Sequence, residues 1–347
     1  MTALELTSDH TYIAVGHASG HLYLYHLGSA PSTPARSVAP IPLSDIRSGR
    51  KEGHLRGTRI LHVGFVGKRH TAIISGDERG MAFYHSLGRV LGVDSTDVLR
   101  ILGSYPEPTP PSTPTGQPSW APKRKAPTTL FAAAPLPLSP DATHPADAFQ
   151  FSALLTPAKL VIVGLRPSPR TWFRRMRAGE GGDGPDRTGS AVWRPAHTGV
   201  EPTLAFSWGS SVRFVKSVRV ARDPDGFRTG GAALGKDGTE LDFVEDGRWE
   251  ATGTVLGMQW QSQTVRHALP HRAFLVSLQV DCLFSQHLLL VTSVGVEAVN
   301  VTTLQRAEHS SFDTNLLVTS AGSNQPAGVS VYKGKSFFLV RLACAIT

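Results

Sequence analysis

Residues 10–28 read HTYIAVGHASGHLYLYHLG, and residues 70–88 read HTAIISGDERGMAFYHSLG. The two stretches align without a gap at an offset of 60 residues, and seven of their nineteen positions are identical. That is more identity than composition alone would give. The shared positions are His10 and His70, Thr11 and Thr71, Ile13 and Ile73, Gly16 and Gly76, Gly20 and Gly80, Leu27 and Leu87, and Gly28 and Gly88. Internal similarity at a fixed spacing indicates a repeat architecture.

Each copy of the repeat predicts a β-hairpin. A short apolar strand is followed by a four-residue turn, HASG or DERG, and then by a strand in which aromatic residues alternate. The glycine that ends each turn supplies the positive φ that closes a hairpin. A further short strand precedes each hairpin, so that with a returning strand each copy makes one four-stranded blade. The predicted strands are 3–6, 12–16 and 21–26 in the first copy, and 60–66, 72–76 and 81–85 in the second.

Weaker strand pairs continue along the rest of the chain. No long stretch has helical periodicity; residues 93–102 fit either a short helix or a strand. The sequence therefore predicts an all-β, WD40-like β-propeller. The later predicted strands are 160–164 with 171–174, 203–208 with 212–218, 288–292 with 296–301, and 316–319 followed by 328–332 and 335–340.

Three segments interrupt this pattern. Residues 28–50 form a Ser/Pro/Ala-rich loop insert, which explains why the repeat is longer than an ordinary blade. Residues 103–146 hold twelve of the 25 prolines and predict a disordered insert, and 177–191 predict a flexible loop. We therefore predict propeller blades in 1–102 and 147–347. At about 43 residues a blade, about six blades fit, so six and seven both remain open and a seven-blade ring would be incomplete.

Composition limits the classes of function. The net charge is +8 and the pI is about 9.7, which fits an anionic membrane, an acidic protein or nucleic acid. Basic runs such as 123–125 fall in predicted loops, where charges are usually solvated, so we expect no nucleic-acid partner. The two cysteines lack a CxxC spacing, which favours a reducing compartment. With no signal peptide and no apolar span long enough for a bilayer, we expect a cytoplasmic protein that is at most peripheral to a membrane.

Nothing in the sequence indicates catalysis, a metal or a cofactor. The GxSxG, HExxH and P-loop motifs are absent, and the histidines lack ligand spacing. We expect the histidines to bridge strands and turns, as the His and Asp positions of degenerate WD blades do. The run Phe173-Arg174-Arg175 resembles the FRRG phosphoinositide motif but ends in Met176 rather than glycine. A phosphoinositide-binding propeller, or a generic WD-repeat scaffold, is therefore the alternative function.

A family resemblance covers residues 54–103 best. The segments GHLRGTRI, GFVGKRHTAIIS, DERGMAFYHSLG and TDVLRILG follow one another there. In this order they resemble the N-terminal propeller of the vacuolar protein sorting-associated protein 8 family, the early-endosome-specific subunits of the CORVET tethering complex. The resemblance is strong over residues 1–103, patchy from 148 to 300 and faint beyond.

The resemblance implies a non-enzymatic scaffold. Its expected partners are an early-endosomal Rab GTPase and other tethering-complex subunits, at the surface of the early endosome. Its expected role is in vesicle tethering, fusion and protein transport to the vacuole or lysosome. Members of this family also carry a helical solenoid and a RING-type zinc finger, and two cysteines cannot supply a RING. Functions that depend on those parts are therefore not expected of these 347 residues.

The partner contact is expected within residues 54–89. Propellers hold loops on rigid blades, and such loops form broad surfaces for protein partners. Polar residues in turns are also explained by turn chemistry alone. The predicted contact residues are Arg59, Arg69, Asp77, Arg79 and Arg89.

Overall fold

The computed structural model describes residues 1–28, 33–47, 51–67, 69–91, 93–106, 129–139, 144–177, 188–197, 199–220, 240–263, 283–311, 328–332 and 335–339. The chain divides into two compact units. The first comprises residues 1–65 and 69–130, and the second comprises 66–68 and 131–347. The division after Leu130 falls inside the range 103–146 that composition predicted to be one disordered insert.

The first unit contains two four-stranded antiparallel sheets. In each sheet, strands that are consecutive in the chain are neighbours, so each is an up-and-down meander. A short helix, α1 (Leu43–Arg47), lies between the two sheets in the chain. The first sheet comprises β1 (Ala3–Leu6), β2 (Tyr12–Gly16), β3 (Leu22–His26) and β4 (Arg36–Val38). The second sheet comprises β5 (Ile60–Phe65), β6 (Ala72–Asp77), β7 (Ala82–Val90) and β8 (Val93–Leu102).

The sequence repeat is also a structural repeat. Gly16 of β2 pairs with Leu22 of β3, and Gly76 of β6 pairs with Ala82 of β7, so the two hairpins have the same register. The glycine that ends each turn has a positive φ, +89° at Gly20 and +74° at Gly80. Both hairpins and the strands before them were predicted, and the structure confirms them.

One prediction for the first unit needs correction, and one open alternative is settled. The loop insert 28–50 contains β4, which pairs with β3, and also α1. A strand of three residues is too short to show a two-residue alternation, and its pairing with β3 defines it instead. Residues 93–102, which fitted a helix or a strand, are strand β8, paired along its length with β7.

One apolar cluster joins the two sheets of the first unit. It includes Ala14, Leu22 and Leu24 of the first sheet and Ile60 and Ile73 of the second, all buried. The first strands of the two sheets, β1 and β5, contact each other. Sheets that pack against each other through their first strands in this way are the blades of a propeller.

The second unit contains three further four-stranded meanders and one pair of strands. A short helix, α2 (Pro145–Phe149), precedes the second strand of the third sheet. The third sheet comprises β9 (Ala132–Pro135), β10 (Phe151–Leu155), β11 (Lys159–Gly164) and β12 (Arg170–Met176). The fourth comprises β13 (Gly189–Arg194), β14 (Thr203–Trp208), β15 (Ser211–Val220) and β16 (Glu240–Glu250). The fifth comprises β17 (Val255–Gln263), β18 (Leu283–Thr292), β19 (Gly295–Asn300) and β20 (Gln305–Ser311), and the final pair is β21 (Gly328–Tyr332) with β22 (Lys335–Leu339).

The hairpins predicted at β11–β12, β14–β15, β18–β19 and β21–β22 are confirmed, whereas the predicted strand 316–319 lies outside the described residues. The prediction of disorder over 103–146 fails for β9, because Ala132–Pro135 pairs with β10. The neighbouring side chains of Leu130, Phe131 and Leu136 are buried. Proline is tolerated there because β9 is an edge strand. Of the predicted loop 177–191, residues 178–187 lie outside the described residues and β13 begins at Gly189.

Tryptophan side chains link neighbouring blades of the second unit. The buried indoles of Trp193, Trp208 and Trp260 each donate a hydrogen bond to a backbone carbonyl of the preceding blade region. The acceptors are Ala134 at 2.9 Å, Thr156 at 2.8 Å and Val192 at 3.2 Å, in that order. Each indole therefore buries apolar surface while its N–H stays bonded.

The described residues thus form five complete four-stranded blades and one two-stranded blade. Within the second unit the first strands of successive sheets contact each other, β9 with β13, β13 with β17 and β17 with β21. This is the all-β, WD40-like propeller architecture that the repeat predicted. The two helices of the described part are five residues each, and neither is long enough to span a membrane.

Candidate functional site: the basic end of the second sheet

The second sheet buries polar side chains where the first sheet does not. All six residues of β6 are buried, including Ser75 and Asp77, both with no exposed surface. His54, in the loop before β5, and His85 on β7 are also buried. Polar groups removed from water need internal partners, because an unpaired one costs about 1–3 kcal/mol.

These four side chains bond to one another, and we call them the buried polar network: His54, Ser75, Asp77 and His85. The Nδ1 atom of His54 lies 2.9 Å from Oδ2 of Asp77, and its Nε2 atom lies 2.6 Å from Oγ of Ser75. The same Ser75 oxygen lies 2.6 Å from Nε2 of His85. The ring of Phe83 packs edge-on against His54 at 4.7 Å.

One arrangement of protons satisfies this chain of contacts. His85 donates from Nε2 to Ser75, Ser75 donates its hydroxyl proton to Nε2 of His54, and His54 donates from Nδ1 to Asp77. The tautomers are assigned from these contacts. Burial, with a smaller contribution from the nearby His54, lowers the pKa of His85 to about 3, so His85 stays neutral as this arrangement requires.

Asp77 also holds the β6–β7 turn. Its Oδ1 atom accepts hydrogen bonds from the backbone N–H groups of Arg79 and Met81, both at 3.0 Å. A carboxylate that accepts from the backbone of its own turn fixes that turn. Sequence analysis proposed Asp77 as a partner contact, but its side chain is fully buried and belongs to the framework.

The network supports an exposed basic surface, which we call the basic end. It comprises the exposed residues Arg56, Arg59 and Arg79. Arg59 and Arg79 lie where β5 begins and β6 ends, and Arg56 lies three residues before Arg59, with its backbone N–H bonded to the Ile41 carbonyl at 3.1 Å. The backbone of Arg59 donates to the Glu78 carboxylate at 3.1 Å, and the backbone N–H of Glu78 donates to the Arg59 carbonyl at 3.0 Å. This pair of bonds ties the start of β5 to the β6–β7 turn.

Two of the three arginines of the basic end have no acidic partner among the described residues. The side chains of Arg56 and Arg79 make no ion pair among the described residues. Glu78 is the adjacent exposed acid, while Glu52 is engaged with Arg100, accepting its backbone N–H at 2.7 Å and lying 3.5 Å from its guanidinium. Three arginines on a fixed framework present planar, always charged groups that suit carboxylates of an acidic partner.

The other two predicted contact residues lie at the opposite end of the same sheet. Arg69 precedes β6, and Arg89 lies near the end of β7, beyond the point where Ser86 pairs with the start of β6. Arg89 is exposed but forms an ion pair with Asp94 at 3.0 Å. The hydrogen bond from Arg89, with the charge of Arg36, holds the pKa of the Asp94 carboxyl below its usual range. The structure therefore brings Arg59 and Arg79 together and separates them from Arg69 and Arg89.

Sequence reasoning missed Arg56 and most of the buried polar network. Arg56 lies within the segment GHLRGTRI, three residues before Arg59, and its exposure becomes visible only in the structure. The available signal for the network was the replacement of Val15, His17 and Tyr25 in the first copy by Ser75, Asp77 and His85 in the second. The expectation that histidines bridge strands and turns is confirmed at His54.

The run Phe173-Arg174-Arg175 lies on β12, in the second unit. Phe173 packs against the apolar cluster of that unit, and Arg175 forms an ion pair with Glu245 at 3.1 Å. Arg174 is exposed. Among the described residues, no group of three or more His, Cys, Asp or Glu side chains is placed to hold a metal ion.

Comparison with protein families adds a decisive match. The model of the Vps8 beta-propeller matches residues 1–318, most of the chain. The chain belongs to the Vps8 beta-propeller family. The resemblance seen at residues 54–103 therefore extends over both units.

A mouse relative supports the assignment. The chain is 25% identical over 230 residues to the vacuolar protein sorting-associated protein 8 homolog of Mus musculus. The match covers 65% of this chain but 13% of the relative's length. The chain thus corresponds to a small part of that Vps8 protein.

Three solved structures have a similar chain trace and low sequence identity to this chain. A chain of the mitotic checkpoint complex is 13% identical, with a TM-score of 0.47 over 90% of this chain and 67% of the other. The Cps50 (Swd1) β-propeller domain from Myceliophteria_thermophila is 11% identical, with a TM-score of 0.46 over 90% and 74%. U3-55K is 8% identical, with a TM-score of 0.48 over 95% and 69%.

The described polar residues in this part of the Vps8-type propeller fall into a buried group and an exposed group. The histidines and the carboxylate of the buried polar network are closed off from solvent and occupied by one another. The exposed residues beside the turn that this network holds are Arg59, Arg79 and Glu78.

Proposed function

We propose that this chain is the propeller part of an endosomal tethering subunit, a non-catalytic scaffold that acts in vesicle tethering and in protein transport to the vacuole or lysosome. Membership of the Vps8 beta-propeller family supports this role. The name of the mouse relative, a vacuolar protein sorting-associated protein, agrees with it. The proposed location is the cytoplasmic face of the early endosome, reached through protein partners that include other subunits of a tethering complex.

The proposed direct partner is an early-endosomal Rab GTPase, bound at the basic end. The observation that carries this proposal is that Arg56, Arg59 and Arg79 are exposed, and that Arg59 and Arg79 lie at the turn that Asp77 of the buried polar network holds. Arginines on a fixed framework favour encounter with an acidic surface and fix its orientation. Arg69 and Arg89, at the other end of the sheet, provide a matched comparison.

The test is a pull-down of the purified 347-residue chain on an early-endosomal Rab loaded with a GTP analogue or with GDP. The wild-type chain is expected to be retained by the GTP form at physiological salt. The double variant Arg59→Glu/Arg79→Glu should lose about 30-fold or more in affinity, since two interfacial charge pairs contribute about 1 kcal/mol each before reversal.

The control is the double variant Arg69→Glu/Arg89→Glu, which makes the same change of charge at the opposite end. It should bind like the wild type if the basic end is the site. A larger loss of Rab affinity in this control than in Arg59→Glu/Arg79→Glu would place the contact at the other end of the sheet. Absence of binding in either nucleotide state, by a chain shown to be folded by circular dichroism, would remove the Rab contact from these residues.

A further inference from the structure

Strand β12 is an outer strand of the third sheet, hydrogen-bonded to β11 on one side. No strand among the described residues pairs with its other side. Alternate N–H and C=O groups of such an edge point away from the sheet, and they can pair with an added strand. This edge lies in the second unit and is independent of the basic end.

The composition of this segment is unusual within the protein. Residues 165–177 read LRPSPRTWFRRMR, with five arginines and no acidic residue. The other long outer strands, β8, β16 and β20, each include at least one Asp or Glu. An arginine-rich edge resists pairing with a second copy of itself, and it favours an acidic strand instead.

Not every arginine is available to a partner. Arg170 lies over the ring of Trp172 at 4.2 Å, and Arg175 forms an ion pair with Glu245 at 3.1 Å. Arg166 and Arg174 are exposed and make no ion pair among the described residues. These two are the cations free to meet a ligand.

The register of β12 defines what the edge presents. The register shifts between Ile162 and Val163 of β11, next to Trp172. After this shift, Phe173 packs against the apolar cluster, whereas Arg174 and Met176 are exposed. Because side chains two apart in a strand share a face, Arg174 and Met176 form a row of one cationic and one apolar group. Met176 is 51% exposed, which is high for a large apolar side chain.

We propose that β12 is a docking edge for an extended acidic peptide, which adds to the third sheet as a fifth strand. Its backbone pairs with the free edge of β12, an acidic side chain lies opposite Arg174, and an apolar side chain two residues away lies on Met176. The partner is thus a protein segment in which acidic and apolar residues alternate on one face.

An anionic membrane is the weaker candidate for the same surface. Each basic residue near an anionic bilayer strengthens binding about fivefold, so two available arginines give about 30-fold. Stable attachment takes a second signal in addition to such weak attraction. A flat bilayer also makes no use of the strand edge, whereas an extended peptide uses both the backbone and the arginines.

The probe is an acetylated, amidated octapeptide in which threonine alternates with valine and glutamate, labelled for fluorescence anisotropy. The 347-residue chain should bind it in the micromolar range. Arg174→Glu should weaken binding about tenfold or more, because Arg174 is exposed and lies in the proposed contact. The matched control is Arg248→Glu, the same change on the outer strand β16, where less than about twofold is expected.

Two N-methylated versions of the peptide separate strand addition from simple charge attraction. They carry methyl groups on alternate amides, on one edge or on the other. Strand addition predicts that one version loses binding and the other retains it, because an added strand pairs through one edge. Equal binding of both versions, or no binding of the unmethylated peptide, overturns the proposal. The chain could instead co-sediment with phosphatidylserine vesicles and fail to bind the peptide. If Arg174→Glu then abolishes the co-sedimentation, the proposal is overturned in favour of a lipid surface.

Discussion

The first and second sheets are copies of one repeat, and their differences show what the repeat preserves. Both have the same hairpin register and a glycine of positive φ at the end of the turn. In the second sheet, however, Ser75, Asp77 and His85 form a buried polar network with His54. The corresponding residues of the first sheet are Val15, His17 and Tyr25.

The turn of the first sheet is held differently. His17 is exposed, and its Nδ1 atom lies 2.8 Å from Oγ of Ser19, which is also 2.8 Å from Nδ1 of His21. These contacts are open to water and therefore contribute little to stability. Hairpin shape thus depends on glycines and apolar residues, while rigidity at the basic end depends on a polar network that only one copy has.

The largest contrast is expected at the equivalent positions 77 and 17. Asp77→Ala leaves buried His54 and the buried N–H of Met81 without an acceptor, and it also removes the acceptor of the partly buried N–H of Arg79, so the free energy of unfolding should fall by about 3 kcal/mol or more. His17→Ala removes an exposed side chain and should change it by less than about 0.5 kcal/mol. Urea unfolding followed by far-UV circular dichroism measures both values. Equal losses would show that the two turns are held in the same way.

A smaller contrast is expected at positions 75 and 15. Ser75→Ala removes the hydroxyl between His54 and His85, and it should cost about 2 kcal/mol, because two buried ring nitrogens lose a partner. The reciprocal change Val15→Ser, at a half-buried position of β2, should cost less than about 1 kcal/mol. The same urea experiment compares them. A neutral Ser75→Ala variant would contradict the proton arrangement inferred for the network.

A pH dependence distinguishes His85 from Tyr25. The pKa of His85 is lowered from 6.5 to about 3 by burial, so the unfolded chain binds a proton that the folded chain excludes. The contribution of His85 to the free energy of unfolding is therefore fully present above pH 6.5, and it decreases as the pH falls from 6.5 towards 3. Between pH 6.5 and 5.5 the loss is about 1 kcal/mol.

Glutamine at position 85 does not titrate but still offers an N–H to Ser75. The variant His85→Gln should therefore lose about 1 kcal/mol less than the wild type over that pH interval. Unfolding midpoints in urea at the two pH values provide the measurement. Parallel losses in wild type and variant would mean that His85 is protonated in the folded chain.

The smallest effect concerns the hairpin of the third and fourth strands, which is long in the second sheet (β7–β8) and short in the first (β3–β4). Leu91, at its tip between β7 and β8, is 99% exposed with a φ of +51°. Leucine is strained in this left-handed conformation, whereas asparagine tolerates it. Leu91→Asn should therefore raise the free energy of unfolding by about 0.5 kcal/mol. An unchanged or lower value would show that the Leu91 side chain makes stabilising contacts despite its exposure.

Much of the fold was predictable because it depends on local patterns. The hairpins follow from glycine-ended turns and alternating apolar residues, which two copies of one sequence made visible. Strands β4 and β9 were not predicted, because three residues or an Ala-Pro segment give no periodic signal. Each of them is defined by the neighbouring strand with which it pairs.

The candidate site was predictable in part. Sequence proximity put Arg59 and Arg79 among the predicted contact residues, and both are exposed in the structure. It could not separate them from Arg69 and Arg89, because the end of the sheet at which a residue lies depends on strand direction and register. Nor could it show that Asp77 is buried, since its partner His54 is 23 residues away in the chain.

The bonded indoles of the second unit have a spectroscopic consequence. Five of the six tryptophans, at positions 172, 193, 208, 249 and 260, belong to that unit, whereas Tyr12, Tyr23, Tyr25, Tyr84 and Tyr105 belong to the first. Intrinsic tryptophan emission therefore reports chiefly on the unit that carries β12, and the tyrosine bands of the second-derivative absorbance spectrum report chiefly on the unit that carries the basic end. Recording the two signals during one denaturation resolves the melting of each unit without attaching a dye.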